Sequence, residues 1–340
     1  MKIIDLFSGI GGFSLGFQRA GYQFTEHYFS EIDKHAIANY KHNFPHAKYI
    51  GDITTLHGGD FTDIDIITFG SPCQDFSLAG RRAGLKGAKS SLIQHAITLI
   101  AEVRPSVFVW ENVKGAFSSN AGADFWAIIQ AFANIGGYRL EFQLLNTKWV
   151  LPQNRERIYL IGHLAGRSQP GVFPITEDDC APRKEKTYQF QAKLSGTLKA
   201  NGNMNADDTY IIPKTASTLT GGGHSGGLHS DMTIIRQLPR GKNKGADLKI
   251  CPTISSNAFQ ENNLLEGVRR LTEIECERLQ GFPDNWTQYG DYNGTIKSIA
   301  RTQRYKLIGN AVTVDIVELI AKRLKIIVDE FTPYTQKEMV

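Results

Sequence analysis

Over its first 164 residues the chain alternates short β-branched or aromatic runs with stretches of helical apolar spacing. An alternation of that kind closes as an α/β fold, a mostly parallel, doubly wound sheet with helices on both faces. Residues 2–7 read as a buried strand, Ser8-Gly9-Ile10-Gly11-Gly12-Phe13 as a glycine-rich turn, and residues 14–20 as a helix. Strands follow over 24–30, 48–50, 63–69, 106–110, 139–145 and 157–161, with helices over 33–43, 91–103 and 124–135. In such sheets ligands sit at the carboxyl ends of the strands. Gly9, Glu31, Asp52, Cys73 and Glu111 each follow a predicted strand, so the topology gathers them along one edge.

The stretch Gly70-Ser71-Pro72-Cys73-Gln74-Asp75-Phe76-Ser77 is the one where that edge carries a reactive atom. Gly70 and Pro72 stop the strand and turn the chain, which presents Cys73 rather than burying it. A thiolate is the best nucleophile among side chains near neutral pH; the bland reading is a small packed hydrophobe. From Phe76 through Ala101 there is no acidic residue, while Arg81, Arg82, Lys86 and Lys89 all occur. A second acid-free stretch, residues 236–245, carries Arg236, Arg240, Lys242 and Lys244. Charge runs are usually solvated loops, and the first stands out only by its place beside Cys73.

The glycine turn is a variant of the Rossmann fingerprint, and Glu31 and Asp33 fall at the distance where an acid meets a ribose hydroxyl. Together they suit an adenosine-containing cofactor, against a plain tight turn with a helix-capping acid. Glu111, after an apolar strand beside that of Cys73, suits an acid or hydrogen-bond donor, or else a helix cap or surface carboxylate. Arg155 and Arg157 alternate into the last strand and suit phosphate or carboxylate recognition, the alternative being a surface ion-pair ladder with Glu156.

A chain of 340 residues has room for one large domain and a smaller one. After His163 the alternation lapses, and Gly, Ser, Thr and Asn become dense through residue 267, as in Gly221-Gly222-Gly223-His224-Ser225-Gly226-Gly227. Weakly repeated hairpin patterns begin at residues 196, 217 and 252, which predicts a small β-rich module. The expected division is 1–164, a second domain over 165–268, a return segment over 269–330 with helices over 271–280 and 314–325, and a tail over 331–340. The four cysteines, Cys73, Cys180, Cys251 and Cys276, show neither disulfide-framework nor zinc spacing, so no metal is expected. Asp5 interrupts the apolar start and no uncharged run approaches membrane-spanning length, which reads as soluble and cytoplasmic. A net charge of +4 is too small to identify a nucleic-acid partner by itself.

The ordered set of motifs, from residues 5–13 through Glu31, residues 51–53, 70–77, 111–113, 152–162, 269–286 and 305–312, resembles the cytosine-C5 DNA methyltransferases, bacterial or phage modification enzymes above all. The resemblance implies a Rossmann-like S-adenosylmethionine-dependent sheet with a target-recognition domain inserted before Arg269. It implies Cys73 as the nucleophile on cytosine C6, protonated Glu111 on the ring N3, and Arg155 and Arg157 orienting the base. It implies S-adenosylmethionine as cofactor and S-adenosylhomocysteine as product. Phe7 would lie against the adenine, Gly9, Gly11 and Gly12 near the methionine moiety, Glu31 on the ribose, Asp52 with Ile53 at the adenine, and Asn310 near the methionine end. The partner would be double-stranded DNA with the cytosine flipped out, phosphates meeting Arg81, Arg82, Lys86 and Lys89, and the second module reading sequence with Arg236, Arg240 and Lys242 among its DNA contacts. A monomeric state and a separate cognate restriction endonuclease belong to the same implication. The chain departs from the family where Thr313 follows Ala311-Val312 in place of a common proline.

Three other readings fit part of the sequence. An RNA cytosine-C5 methyltransferase would share the motifs, but the large second module favours DNA. A catalytically inert DNA-binding homologue would have no need of Cys73, Glu111, Arg155 and Arg157, and a nicotinamide dehydrogenase would explain only the glycine turn and Glu31.

Overall fold

A computed structural model describes residues 1–71, 91–117, 122–180 and 269–326, together with short strands within the second module. The chain opens with β1 (Lys2–Leu6), α1 (Gly12–Arg19), β2 (Glu26–Ser30), α2 (Lys34–Asn43), β3 (Lys48–Tyr49) and β4 (Ile66–Gly70). It continues through α3 (Ser91–Val103), β5 (Val107–Val113), α4 (Ala123–Asn134), β6 (Tyr138–Asn146) and β7 (Glu156–Leu164). These strands form one seven-stranded sheet in the order β3-β2-β1-β4-β5-β7-β6.

The strands are apolar on both sides because helices cover both faces. On one face Ile4, Leu6, Ile67, Phe69, Phe108 and Trp110 pack against α3 and α4. On the other, Ile3, Ile66, Val107 and Val109 meet Phe13 and Phe17 of α1.

The sheet is mostly parallel, as expected, with one reversal, and the expected place of Glu111 along it needs correction. Every neighbouring pair from β3 to β5 is parallel, but β7 runs antiparallel to both β5 and β6. The connection over residues 147–155 is too short for a parallel crossover, which needs a dozen residues or more. The reversal puts the start of β7, with its arginines, at the carboxyl edge of the other strands. Glu111 does not follow a strand but lies inside β5, because β7 supplies pairing partners beyond the end of β4: Gly70 faces Glu111, and Val113 faces Arg157.

After β7 come β8 (Ser168–Gln169), then β9 (Ile235–Gln237), β10 (Ala246–Leu248), β11 (Asn263–Leu265) and β12 (Arg269–Arg270), the last four forming a sheet ordered β10-β9-β11-β12. Residues 165–180, grouped by texture with the second module, pack instead on the first. Val172 and Ile175 are fully buried in its core, and Glu141 accepts the amides of Val172 at 3.0 Å and Gly171 at 3.2 Å. Arg269 and Arg270, assigned to the return segment, pair with β11 and so belong to the four-stranded sheet. The hairpin patterns at 196, 217 and 252 lie outside the described residues.

The return segment carries α5 (Glu273–Leu279), the hairpin β13 (Tyr289–Tyr292) and β14 (Thr295–Ser298), α6 (Arg301–Asn310), α7 (Val314–Arg323) and β15 (Lys325–Ile326). Ile316, Val317 and Ile320 of α7 join the core that contains Phe13 and Phe17, and β15 pairs with β8. Among the described residues no helix is long and apolar enough to cross a membrane, and no group of three or more His, Cys, Asp and Glu is placed to hold a metal ion.

Candidate active site

The turn after β1 alternates into the left-handed region at Phe7 (φ 49°), Gly9 (φ 54°) and Gly11 (φ 82°). For Phe7 this conformation costs roughly 1–2 kcal/mol, so the surrounding structure must hold it. Ser8 N donates to Ser30 O at 3.1 Å and Gly11 N to Ser8 O at 2.9 Å. Gly9 N donates to Glu31 Oε2 at 2.9 Å, which links the glycine turn to the end of β2. A β-carbon at Gly9 would meet nothing within 4 Å, so this main chain borders open space. At Gly12 the reverse holds: a β-carbon would lie 2.7 Å from Val312 Cγ2. Gly12 thus lets the return segment seat against the turn.

The structure separates the two acids after β2. Glu31 accepts from Gly9 N and, through Oε1, from Ile32 N at 2.8 Å and Asp33 N at 3.0 Å. Asp33 instead caps α2. Burial pushes its carboxyl up, but hydrogen bonds from Lys306 and the His35 and Ala36 amides outweigh that and hold its pKa below the ordinary range. Asp52 accepts from Thr54 N at 3.0 Å above the buried Ile53, and Ser30 Oγ donates to Gly51 O at 2.8 Å. Phe7, Gly9, Glu31 and Asp52 therefore lie on three adjacent strand ends, β1, β2 and β3.

A second group forms where β4, β5 and β7 meet. Glu111, 8% exposed, pairs with Arg157, whose Nε is 3.1 Å from Glu111 Oε1. Its Oε2 faces the end of β4, within 3.3 Å of where a β-carbon at Gly70 would stand. Ser71 is buried and its Oγ accepts from Trp110 Nε1 at 3.0 Å and Asn112 Nδ2 at 2.9 Å. This fixes the main chain two residues before Cys73. Beside Arg157 an open polar cleft of about 260 Å³ is lined by Val113, Lys114, Gly115, Asn154 and Glu156.

Arg155 and Arg157 do different work. Arg155 is buried and donates to Gly309 O at 3.3 Å and Ala311 O at 2.8 Å, so it fixes the turn that carries the exposed Asn310. Burial, and then the charge of Arg157, lower its pKa to about 10, which leaves it a cation at neutral pH. Where the family often has proline, Thr313 is buried and holds the same turn through Thr147 Oγ1 at 2.8 Å and Gln280 Oε1 at 3.1 Å.

The glycine turn is also braced by residues that the sequence motifs do not single out. Trp286 Nε1 donates to Ile10 O at 2.9 Å, and its ring packs between Phe44 and Phe282. The turn bearing Trp286 is held by the fully buried Glu277, which accepts from Asn285 N at 2.7 Å, Thr287 N at 2.8 Å, Thr287 Oγ1, and Arg304 Nη2 at 3.0 Å. Signals were present: Thr272 and Glu275 form a capping box that starts α5, and Asn293-Gly294 marks the β13–β14 hairpin. Cys73, Arg81, Arg82, Lys86, Lys89, Arg240 and Lys242 lie outside the described residues. Arg236 lies in β9 by its main chain alone.

Comparison with known proteins adds to this geometry. The family model described as C-5 cytosine-specific DNA methylase matches residues 1–326. The Type II methyltransferase M.Bsp6I of Bacillus sp. (strain RFL6) is 30% identical over 338 residues, covering 95% of this chain and 98% of the relative. The Type II methyltransferase M.HpaII of Haemophilus parainfluenzae is 31% identical over 340 residues, covering 94% and 88%. Among solved structures, a DNA modification methyltransferase encoded within an E. coli prophage has a similar fold, with a TM-score of 0.61 at 23% identity and coverage of 95% and 97%.

Proposed function

The chain belongs to the C-5 cytosine-specific DNA methylase family, and from that premise we propose that Cys73 attacks C6 of a flipped-out cytosine while S-adenosylmethionine provides the methyl group. The chain is a sequence-specific DNA (cytosine-5-)-methyltransferase, an enzyme that needs a methyl donor and a DNA substrate. The observation that carries the residue assignments is the convergence, on one sheet edge, of a glycine turn locked to Glu31 and a Glu111–Arg157 pair beside the strand that leads to Cys73.

The residues present suit the proposed donor. Main chain at Gly9 borders open space, and Glu31 and Asp52 stand on the neighbouring strand ends. Phe7, Gly9, Gly11, Gly12, Glu31, Asp52, Ile53 and Asn310 would hold it, with Arg155 and Thr313 fixing the turn of Asn310. When bound, S-adenosylmethionine supplies an electrophilic methyl on a sulfonium.

Cytosine C5 is a poor nucleophile until the ring is activated. The Cys73 thiolate forms a bond to C6, and the displaced π electrons make C5 an enamine carbon that takes the methyl. Glu111, in its acid form, donates to N3, where charge develops, and Arg157 fixes the direction of that carboxyl. Loss of the C5 proton to water, with the N3 proton returned to Glu111, then expels Cys73 as thiolate and restores the aromatic ring. C5 and C6 are stacked inside duplex DNA, so the base must leave the stack first. Arg81, Arg82, Lys86 and Lys89 meet phosphates around it, and the module before α5, with Arg236, Arg240 and Lys242, reads the flanking sequence. The same reading makes the enzyme a cytoplasmic monomer, with any cognate restriction endonuclease a separate protein.

Methyl transfer from labelled S-adenosylmethionine to unmethylated duplex DNA, with base-resolved mapping, tests the reading. The expected result is 5-methylcytosine at one short recurring sequence, lost in Cys73→Ser. Transfer to tRNA in preference to duplex DNA, or a fully active Cys73→Ser, would overturn it.

A further inference from the structure

Five polar side chains from five elements meet beneath the glycine turn, and the chemistry above uses none of them. Asp5 of β1 is fully buried; its Oδ1 accepts from Thr68 Oγ1 of β4 at 3.0 Å. Its Oδ2 accepts from Ser14 Oγ of α1 and Tyr40 OH of α2, each at 3.1 Å. Ser14 Oγ and Tyr40 OH are 2.7 Å apart, and His27 Nε2 of β2 lies 2.9 Å from the first and 2.7 Å from the second.

The cluster grips the turn at both ends. Asp5 stands two residues before Phe7 and Ser14 two residues after Gly12, so their hydrogen bond closes the turn at its neck. Tyr40 lies under the middle, its Cε2 within 3.1 Å of where a β-carbon at Gly11 would stand. Thr68, two residues before Gly70, ties the cluster to the strand that leads to Cys73.

The contacts outnumber the protons. Asp5 Oδ2, Ser14 Oγ, Tyr40 OH and His27 Nε2 make five contacts of 3.1 Å or less. With Asp5 ionised and His27 neutral, at most one proton from each hydroxyl and one from the ring can fill them. A proton on Asp5 adds a further hydrogen bond and removes a buried negative charge that no cation faces among the described residues.

We propose that Asp5 is a positioning residue for the cofactor turn: with Ser14, Tyr40 and His27 it holds residues 7–12 in the shape that receives S-adenosylmethionine, and the shape is firmest when the cluster carries its extra proton. The inference rests on the assignment of that turn to the cofactor. The groups facing Asp5 are the Thr68, Tyr40 and Ser14 hydroxyls and, farther off, the Glu31 carboxylate. Burial raises the Asp5 pKa, the three hydroxyls work against it and Glu31 adds to it, leaving it at about 7. Burial lowers His27 to about 4, so the ring is neutral where Asp5 titrates. Affinity for the cofactor therefore falls as pH rises through neutrality.

Asp5→Asn separates this role from a merely structural one. An asparagine presents one acceptor and one donor group, as a protonated aspartate does, and cannot ionise. The full chain, Asp5→Asn and Ser14→Ala are titrated calorimetrically with S-adenosylhomocysteine at about pH 6 and about pH 8, with thermal unfolding measured in parallel. The wild type is expected to bind several-fold more weakly at the higher pH, and Asp5→Asn to bind equally at both, close to the wild-type value at low pH. Ser14→Ala, which opens the neck, binds about fivefold or more weaker at low pH. If Asp5→Asn does not fold, Ser14→Ala decides: wild-type affinity and pH slope in that variant overturn the inference. Wild-type binding whose pH slope survives in Asp5→Asn, or no slope in the wild type, overturns the inference alone. Failure of the wild type to bind at either pH overturns the cofactor assignment and this inference with it.

Discussion

Trp286→Phe tests whether the return segment shapes the donor site. The indole Nε1 donates to Ile10 O at 2.9 Å, and Ile10 is fully buried, so the substitution takes a donor from a main-chain carbonyl sealed from water. Such a loss costs roughly 1–3 kcal/mol. A phenyl ring keeps much of the packing against Phe44 and Phe282, whose centroids lie 5.6 Å from that of Trp286. The carbonyl of residue 286 still accepts from Asn39 Nδ2 at 2.8 Å, so the supporting turn persists. If the whole cost falls on the ligand-ready shape of residues 7–12, affinity for S-adenosylhomocysteine drops about 5- to 150-fold, at about 1.4 kcal/mol per tenfold. Calorimetry reads this directly, and turnover at saturating donor and KM for DNA should stay near wild type. An affinity unchanged within about twofold, together with a lower Tm, refutes the reasoning: the turn would then owe its shape to its own glycines and Glu31.

Arg157→Ala removes the side chain that fixes the direction of the Glu111 carboxyl at a largely buried position. Turnover should fall at least about 100-fold in a single-turnover assay while S-adenosylhomocysteine binding is retained; weakened binding at full turnover would contradict the division of the site. Glu31→Ala strips an acceptor from the amides of Gly9, Ile32 and Asp33, and donor affinity should fall more than about tenfold, with kcat at saturation preserved. The pH dependence of stability is a third test. Asp5 titrates at about 7 when folded against 3.8 ordinarily, so the folded chain binds more protons between those values and stability falls as pH rises. His27 titrates at about 4 when folded against 6.5 ordinarily, so there the unfolded chain binds more protons and stability rises with pH. The two slopes oppose each other from about pH 4 to 6.5. Urea unfolding of Asp5→Asn should therefore expose a rise with pH that the wild type hides, and identical profiles would count against both assignments.

Much of the fold and part of the site are legible in the sequence, for identifiable reasons. β4 is buried on both faces and reads as a run of β-branched and aromatic residues, and the glycine turn carries left-handed positions as glycines at Gly9 and Gly11. The direction of β7 leaves no trace in its composition, because a doubly covered strand looks alike either way round. Only the shortness of residues 147–155 records it. Glu111 is recognisable as an acid near a strand end, but its place within β5 depends on a partner strand that begins only at Glu156. The long-range ties were the hardest to see. Arg155 to the 309–311 turn and Trp286 to Ile10 join segments far apart in sequence. Glu273, Glu275 and Glu277 are all buried on α5, where helical periodicity alone would assign carboxylates to the solvent face. Asp5 is likewise an acid inside a buried strand, intelligible only once Ser14, Tyr40, Thr68 and His27 surround it.

The central claim is that Cys73 becomes covalently bound to the cytosine it activates, and trapping that bond tests it most directly. In DNA carrying 5-fluorocytosine at the target position, fluorine replaces the C5 proton whose loss releases the enzyme, so the adduct should persist after methyl transfer. With S-adenosylmethionine present, denaturing electrophoresis and intact-mass analysis should show a one-to-one protein–DNA species in the wild type and none in Cys73→Ser. An adduct that survives in Cys73→Ser, or a wild type that methylates ordinary DNA yet forms no adduct with the fluorinated site, would contradict the account.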